Sequence, residues 1–431
     1  MRIKHLALVA LAVASALMAA GCGRKVDPNS IRFRYWGDAQ EVGIIEGMTK
    51  EFEAANPGVK VVPERKNADD TYADVLLQEF AANSAPDVMF ASTDNIERLE
   101  PSGKLADLNT FLAKESDLKA TDYYDVMINR FTKQGKLLVL PRDIAPVVVV
   151  FYNKDLFDKG KVPYPKDGWD WDDLRDKAKK LTVRPKLGPA EQYGYGDDWN
   201  IIDTWVLAGG GRFVDDYYNP TRFTFGEPAS VEAIRTRWKT FHEDMSSPFV
   251  ADNQALNGGN TALFLNGKLA MFHSGIWKTP LFREIKNFKW DMVLFPLKKG
   301  AKDAVYVTGG SGYAMRSDTA NPDLAWKFIK FLAGPEGQKR LASTGLAQPA
   351  LKAMAKGPEF LDGKDPKNKK MLLYAAEHGL SSPAWEPWRE FWRAIWMQGA
   401  DPMWLKGYKG DIEADLKAMQ AKANEKFFKK K

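Results

Sequence analysis

The feature that most constrains the fold is a regular alternation of strand and helix patterns over residues 31–92. The strand patterns IRFRYW, VKVVPE and DVMFAS are separated by two segments whose apolar residues recur at helical spacing. The face of the first helix that packs on the core is expected to consist of Ile44, Met48, Phe52 and Ala55. A β-α-β-α-β order predicts an α/β fold with a mostly parallel sheet flanked by helices.

Later segments extend this pattern along the chain. The run VVVVFY at 147–152 is continuously apolar, as expected of a buried strand. Asp170 is placed to cap a helix, and the inward face of that helix is predicted to be Trp171, Leu174, Ala178 and Leu181. Asn321 is predicted to cap another helix that starts at Pro322, and residues 410–427 are predicted to form a final amphipathic helix.

The first 21 residues are predicted to be a signal peptide and not part of the fold. Their apolar run LALVALAVASALMAA has 15 residues, fewer than the roughly 20 needed to cross a bilayer. The only cysteine, Cys22, follows at once, and Ala19-Ala20-Gly21-Cys22 resembles a lipobox with Ala19 where leucine is usual. One interpretation is ordinary cleavage beside an incidental thiol. We favour acylation of Cys22, with 22–30 as a lipidated tether.

Charge gives no support for a nucleic-acid partner. The net charge is +6, and removal of residues 1–21, which hold two Lys/Arg and no Asp/Glu, lowers it to +4. Spread over some 400 residues, so small an excess attracts polyanions only weakly. The basic runs at 364–370 and 426–431 are interpreted as solvated segments, since no nucleic-acid motif accompanies them.

The usual catalytic and metal-binding patterns are absent from the sequence. GGSGY at 309–313 has Tyr313 where a nucleophile elbow needs glycine. Four histidines and one cysteine cannot easily build a transition-metal site, so neither a metal nor a cofactor is predicted. Two cleft carboxylates among the 56 acidic residues could still serve a glycosidase or lyase, and this alternative stays open.

Polar and aromatic residues recur where predicted strands begin or end. In open α/β sheets, ligands bind beyond the carboxyl ends of the strands. There an aspartate can accept hydroxyl hydrogen bonds, and a tryptophan ring can lie against the apolar face of a sugar. Alternatively, each aspartate is a helix cap, each tryptophan is core and the paired glycines are a bulge or hinge. The candidates are Trp36, Asp38, Asp94, Arg142, Asp143, Ser274, Trp277, Gly309, Gly310 and Ser311.

The order of motifs along the chain resembles one family. FEAANPGVKV, APDVMFAS, GKLADL, FYNKDLF, GWDWDDLRDKAKKLT, FLNGKLAMFHSGIW, GGSGYAM and AWKFIKFLAGPEGQ follow one another as in the extracellular sugar-binding proteins of bacterial ABC importers. The resemblance is to the maltose/oligosaccharide-binding-like family 1 of solute-binding proteins and covers nearly the whole mature chain. One departure is the spacing between Pro141 and FYNK, which is one residue longer than in maltose-type members.

The resemblance implies a two-lobed periplasmic-binding-protein fold, with a multi-strand hinge and the solute in the cleft. Lobe one is then about 31–142 plus 311–352, and lobe two about 143–310 plus 353–431. By this mapping Asp94 accepts ligand hydroxyls, Trp277 stacks on the sugar, and Trp36, Asp38, Gly310 and Ser311 lie at contact positions. Further second-lobe contacts implied by the resemblance are Trp199, Asn200, Trp385 and Trp388.

The function that the resemblance implies is a non-enzymatic, monomeric receptor tethered outside the cytoplasm. It would capture a mono- or oligosaccharide and deliver it to the permease subunits of an ABC importer. The same role for a polyol, a sugar phosphate or an anionic sugar is an alternative, because Arg142 and the mild positive charge permit it.

Overall fold

The structure is a computed structural model that describes residues 27–66, 71–186, 190–198, 201–249 and 259–429. Strands within these ranges are β1 Ser30–Tyr35, β2 Lys60–Arg65, β3 Val88–Ser92, β4 Thr132–Lys133, β5 Lys136–Leu137, β6 Val139–Pro141, β7 Asp143–Pro146, β8 Val149–Asn153, β9 Tyr193–Asp197, β10 Leu269–Ser274, β11 Trp290–Leu294, β12 Tyr306–Gly309, β13 Ser311–Met315, β14 Gln348–Pro349 and β15 Gly379–Leu380.

The α-helices of the same ranges are α1 Ala39–Ala55, α2 Tyr72–Ala81, α3 Ile96–Leu99, α4 Asn109–Leu112, α5 Asp125–Phe131, α6 Lys154–Gly160, α7 Trp171–Leu181, α8 Ile202–Ala208, α9 Pro228–His242, α10 Gly259–Leu265, α11 Thr279–Phe282, α12 Pro322–Ala333, α13 Pro335–Thr344, α14 Lys352–Ala355, α15 Met371–Glu377, α16 Trp388–Phe391, α17 Met397–Ala400 and α18 Ile412–Phe427. Short 3₁₀ segments are Glu100–Ser102, Ala120–Asp122, Ile276–Lys278 and Asp401–Trp404, and Trp392–Trp396 forms a turn of π-helix.

Two hydrophobic cores divide the described chain into two lobes. In lobe one a five-stranded sheet of order β2-β1-β3-β13-β6 carries a core that runs from Ile31 to Ile144 and again from Tyr313 to Ala355. In lobe two a four-stranded sheet of order β11-β8-β10-β9 carries a larger core, from Val148 to Val307 and again from Phe360 to Ala423. The two-lobed α/β fold expected from the sequence is confirmed.

A third sheet joins the lobes. Its order is β14-β7-β12-β15, and two of its strands carry two of the three crossings between the lobes, the third lying between Ala355 and Phe360. Strand β7 follows β6 of lobe one and leads into β8 of lobe two, whereas β12 follows β11 of lobe two and leads into β13 of lobe one. The two crossings lie side by side, because Thr308 pairs with Pro146 and Gly309 with Ala145.

One strand in each lobe runs against the others, and it is the strand that enters from this hinge. In lobe one β13 is antiparallel to β3 and β6, whereas β1, β2 and β3 are parallel. In lobe two β8 is antiparallel to β10 and β11, whereas β9 and β10 are parallel. The prediction of mostly parallel sheets is thereby confirmed. The remaining strands consequently point their carboxyl ends at the hinge, and we call this side of each lobe its hinge-side edge.

The structure confirms the predictions that depend only on residues close together in the sequence. Asp170 caps α7 by accepting hydrogen bonds from the N–H groups of Asp172 and Asp173, both at 3.0 Å. The four residues predicted to face inward on α7 are the ones that are buried. Strand β8 is buried throughout. Gly310 separates strand β12 from strand β13, at the paired glycines that the sequence marked as a bulge or hinge.

Two details of the helix predictions are wrong. On α1 the buried face contains Val42 and Ile45, whereas Ile44 is only partly buried and Ala55 is exposed. The buried face lies about one residue away from the predicted face, because Ile44 and Ile45 are both apolar and the sequence cannot choose between them. Asn321 occupies the N-cap position of α12 without a capping hydrogen bond from its side chain. Its Nδ2 instead donates to the backbone oxygens of Asp27 and Ser30.

Among the described residues, no helix is both long and apolar enough to cross a membrane. The predicted signal peptide and Cys22 lie outside those residues. The lobe boundaries drawn from the sequence stay predictions. The two cores add that α15 touches both lobes, since Leu372 and Ala375 belong to one core and Ala376 to the other.

Candidate functional site

A buried ionic network occupies the hinge. The Arg142 guanidinium donates to the Asp143 carboxylate, with both Nε and Nη2 at 2.7 Å from Oδ2, and its Nη2 lies 2.9 Å from Glu41 Oε1. Asp143 also accepts from the backbone N–H and the hydroxyl of Ser311, at 2.8 and 3.0 Å. The network therefore ties the first crossing to the second and both to α1.

The neighbouring carboxylates keep Arg142 charged despite its burial. Burial alone would lower the pKa of Arg142, but the carboxylates of Asp143 and Glu41 outweigh that effect and raise it. Burial raises the pKa of Glu41, and Arg142 counteracts that rise. The guanidinium also lies over the ring of Phe90, 4.7 Å from its centroid. Arg142 Nη1 is buried, and the buried Tyr313 hydroxyl faces the guanidinium.

The glycines between the two crossing strands allow a close approach of backbones. A Cβ on Gly310 would lie 2.4 Å from the terminal methyl of Met127 and 2.6 Å from the backbone oxygen of Asp143. The backbone oxygen of Gly310 accepts from the N–H of Thr93 at 3.0 Å. Gly309 is less crowded, with Thr93 Oγ1 at 3.3 Å from its hypothetical Cβ. Position 310 thus excludes any side chain without displacement of the hinge.

Trp36 and Asp38 follow β1 at the hinge-side edge of lobe one. The Trp36 ring is only partly buried and stands edge-on to Tyr72 and Phe90, with centroids 4.7 and 5.1 Å apart. Asp38 is exposed and caps α1, because its Oδ1 accepts from the N–H of Glu41 at 3.0 Å. The structure therefore gives Asp38 a local role, whereas Trp36 presents part of its ring outwards.

Asp94 follows β3 and lies where lobe one meets lobe two. It is exposed, and its Oδ1 accepts a hydrogen bond from Ser382 Oγ at 3.4 Å. Beside it the buried Arg130 donates to the backbone oxygen of Thr93 at 2.6 Å and to that of Pro383 at 3.5 Å. These hydrogen bonds connect residues that belong to different lobes.

Asp203, at the start of α8 in lobe two, is a titratable group that the sequence analysis did not single out. Burial raises its pKa to about 7, and repulsion from the Asp94 carboxylate adds to that rise. Asp203 Oδ1 accepts from the N–H of Thr204 at 3.0 Å. A helix start is an ordinary place for aspartate, so nothing local in the sequence marks this residue.

Ser274 and Asp198 stand next to each other at the hinge-side edge of lobe two. Ser274 Oγ donates to Asp198 Oδ2 at 2.6 Å, and Lys278 Nζ lies 3.8 Å from the same oxygen. Burial raises the pKa of Asp198, against the opposing effects of Lys278 and Ser274. Asp198 follows β9 as Asp94 follows β3, and the strand-end pattern could have identified it.

Trp277 belongs to lobe two by sequence but packs against the core of lobe one. It follows β10 in a short 3₁₀ segment, and its partly buried side chain lies on the lobe-one core. The ring folds back over Gly275, where a Cβ would lie only 1.9 Å from Cζ3 of the indole. Gly275 is therefore required for this ring position, which makes Trp277 a contact between the lobes.

Trp385 and Trp388 pack within lobe two. The Trp385 ring stacks on Phe428 with centroids 4.9 Å apart and an interplanar angle of 12°. Trp388 stands edge-on to Phe213 at 5.6 Å. Both rings are partly buried in this aromatic cluster. Their predicted role as ligand contacts stays a prediction, and the structure gives each ring a packing role.

Trp199, Asn200 and Cys22 lie outside the described residues. Within those residues, no group of three or more His, Cys, Asp or Glu side chains is arranged to hold a metal. Two surface cavities, of about 380 and 480 Å³, lie elsewhere, one beside Tyr306 and Tyr374 and the other beside the C-terminal helix. Neither is lined by a predicted ligand residue.

The geometry thus shows two α/β lobes, two adjacent hinge crossings and polar or aromatic residues at the hinge-side edges. The family model for bacterial extracellular solute-binding proteins matches residues 38–339. The chain belongs to this family. As a solute-binding protein it is a carrier and not an enzyme, which removes the glycosidase or lyase alternative, and it acts outside the cytoplasm.

Individual relatives are distant but similar over most of their length. A galactooligosaccharide-binding protein of Bacillus subtilis (strain 168) is 24% identical over 375 residues, 83% of this chain and 83% of that protein. An uncharacterized lipoprotein of Streptomyces antibioticus is 26% identical over 392 residues, 86% of this chain and 79% of that protein. An ABC substrate-binding protein of Listeria monocytogenes, solved in complex with cycloalternan, superposes with a TM-score of 0.81 at 24% identity, over 93% of this chain and 99% of that one.

We predict that Arg142→Met destabilises this solute-binding protein by about 3–5 kcal/mol, because two buried carboxylates lose their counter-ion. Those carboxyls should then bind protons more tightly in the folded protein than in the unfolded chain. The loss of stability should therefore grow as pH rises from 5 to 8. Urea unfolding across this pH range measures it. Arg222→Met, which breaks an exposed ion pair with Glu227, should cost less than about 1 kcal/mol. A pH-independent loss would instead indicate packing on Phe90.

Asp203→Asn should stabilise the protein at pH 8 and leave it unchanged near pH 4. Because the pKa of Asp203 is raised in the folded state, the wild-type protein loses stability as pH rises from about 4 to 7, and it does not regain it above 7. Thermal unfolding at both pH values tests this expectation.

Asp216→Asn serves as the control with opposite sign. Hydrogen bonds from the N–H groups of Asn219 and Tyr218 lower the pKa of Asp216, so its contribution is present at pH 8 and lost in acid. If Asp203→Asn instead lowered stability at pH 8, as Asp216→Asn should, the folded protein would hold the Asp203 carboxylate without a cost in stability.

Proposed function

We propose that the protein is a receptor that captures a mono- or oligosaccharide between its lobes and delivers it to an ABC importer. The observation that carries this proposal is the placement of Trp36, Asp94, Asp198 and Trp277 at the hinge-side edges of both lobes. Aromatic rings beside carboxylates suit sugars, which combine apolar ring faces with hydroxyl hydrogens. The relatives named for galactooligosaccharide and solved with cycloalternan support the same solute class.

The hinge network can contribute to the same site. Ser311 and Gly310 lie at the second crossing, and Ser311 is hydrogen-bonded to Asp143 at the first. Arg142 is already neutralised by Glu41 and Asp143, which favours a neutral sugar over a sugar phosphate or an anionic sugar.

The mechanism follows from the two adjacent crossings. Rotation about β7 and β12 would change the angle between the lobes while each core stays intact. A sugar that contacts both lobes favours the closed form by the difference between its affinities for the two forms. The permease subunits of the importer would recognise that form, and no covalent bond changes.

Membrane tethering through a lipid on Cys22 is the second part of the proposal. It is supported by the lipobox-like sequence before Cys22 and by the likeness to a Streptomyces lipoprotein. Tethering would raise the effective concentration of the receptor near the permease. More than one acyl chain would be needed for stable anchoring, because a single chain binds only marginally.

The sugar proposal is tested by calorimetric titration of the mature protein with a panel of mono- and oligosaccharides. At least one saccharide is expected to bind, and Trp277→Ala should weaken that binding by up to about tenfold through loss of ring stacking. Trp238→Ala is the matched control, because Trp238 is a partly buried tryptophan of lobe two that stacks on His242.

Two results would contradict this prediction. Absence of any heat of binding across the panel would remove the sugar assignment. A large fall in the melting temperature of Trp277→Ala, with affinity retained, would make Trp277 a core residue of the lobe contact and not a ligand platform.

The tether is tested separately in cells that express the full chain. Labelled palmitate is expected to be incorporated into the wild-type protein and to be absent from Cys22→Ala. The variant should also leave the membrane fraction. Incorporation that survives in Cys22→Ala, or a wild-type protein found free of lipid, would contradict lipidation at this residue.

A further inference from the structure

A buried ion pair lies behind Asp198, and the function described above does not use it. Asp197 is the last residue of β9, and Arg237 on α9 holds its carboxylate by two hydrogen bonds. Arg237 Nε donates to Oδ2 at 2.7 Å and Nη2 donates to Oδ1 at 2.9 Å. The side chains of Arg237 and Asp197 are only 11% and 3% exposed. The pair therefore belongs to the interior of lobe two, although it lies one residue away from a proposed sugar contact.

Two aromatic rings hold the Arg237 guanidinium in place. It lies over the rings of Trp404 and Phe241, 4.1 and 5.1 Å from their centroids. Burial alone would lower the pKa of Arg237, but the Asp197 carboxylate outweighs burial and raises it. A fixed positive charge therefore stands behind the carboxyl end of β9.

Hydrogen bonds to the backbone fix the same strand end. Asn260 Nδ2 donates to the backbone oxygen of Asp197 at 2.7 Å, and the N–H of Asp198 donates to the backbone oxygen of His273 at 2.9 Å. Ser274 Oγ donates to Asp198 Oδ2 at 2.6 Å. Because consecutive Cα atoms are only about 3.8 Å apart, a restraint on Asp197 is also a restraint on Asp198.

The ion pair also controls the charge that Asp198 experiences. In the described part of the chain, the charged groups that act on Asp198 are Lys278, which follows β10, and Asp197 on its own strand. Burial raises the pKa of Asp198, Lys278 counteracts that rise and Asp197 adds to it. Arg237 neutralises Asp197 and so limits its repulsion of Asp198. The adjacent His273 is neutral near pH 7, because burial lowers its pKa to about 4.

We propose that Arg237 is a positioning residue of the sugar site, which acts through Asp197 to hold Asp198 as a carboxylate at the hinge-side edge. A bound saccharide donates its hydroxyl hydrogens to Asp198 and touches neither Arg237 nor Asp197. The inference rests on the proposed function and extends it, because a residue behind the contact surface then determines how affinity depends on pH.

The test measures the affinity of the mature protein for maltotriose and for a galactotriose by calorimetry between about pH 4 and 8. For whichever trisaccharide binds, the wild-type affinity is expected to fall about tenfold as the pH is lowered through the pKa of Asp198, because protonation removes a charged acceptor. Arg237→Met leaves Asp197 unpaired and should move the midpoint of this fall up by about one pH unit. Asp197→Asn leaves Arg237 unpaired and should move the midpoint down by a similar amount.

Arg175→Met is the matched control, because Arg175 on α7 holds Asp244 of the same lobe by two hydrogen bonds of similar length, 2.6 and 2.9 Å. It should lower the melting temperature, as Arg237→Met does, and leave the midpoint of the affinity profile unchanged. Arg237→Lys keeps the charge without the two-pronged contact, and its midpoint should stay near that of the wild-type protein. Arg237→Lys and Asp197→Asn carry the test if Arg237→Met does not fold.

The outcomes separate this inference from the proposed function. Midpoint shifts of opposite sign in Arg237→Met and Asp197→Asn support the positioning role. Midpoints that do not move, with stability alone reduced, make the pair purely structural, and a wild-type affinity that is independent of pH removes the Asp198 carboxylate from the site. Either result overturns the inference and leaves the sugar receptor standing. Absence of binding by both trisaccharides and by the wider saccharide panel overturns the receptor and the inference with it.

Discussion

The buried guanidinium of Arg142 is the interaction on which the rest of the architecture depends. It neutralises Asp143 on the first hinge crossing and Glu41 on α1, while Asp143 holds Ser311 on the second crossing. Three segments far apart in sequence thus share one charge network. Removing charges from water is costly, and the cost is offset only when the geometry leaves few groups unpaired. The relative placement of β7, β12 and α1 is therefore restricted to arrangements that keep these partners together.

The direction of each strand depends on whether the chain is leaving the hinge or returning to it. A strand that has just crossed runs away from the hinge, as β8 and β13 do, and the strands beside it run towards the hinge. Residues that follow those strands consequently meet on one side of each lobe. Sheets with this orientation place side chains such as Asp94 and Asp198 at the hinge-side edges of the two lobes without any long loop to carry them.

Sequence patterns predicted the parts of the structure that depend on near neighbours. The Asp170 cap and the buried face of α7 need only residues within one helix, and both were predicted correctly. The face of α1 was misplaced by one residue, since periodicity cannot choose between Ile44 and Ile45 when both are apolar. Ser382 could not be predicted, because its hydrogen bond reaches Asp94 in the other lobe. The stacking of Trp385 on Phe428 could not be predicted either, because the two rings lie over forty residues apart in the chain.

Trp277 belongs to one lobe by chain order and to the other by packing. Any change in the angle between the lobes must move its indole relative to at least one of its two surroundings. The ring is also fixed against Gly275, so it cannot follow both. In a chain whose other tryptophans were replaced, its fluorescence would act as a built-in gauge of lobe angle. The motion of the receptor could then be followed in real time without an attached dye.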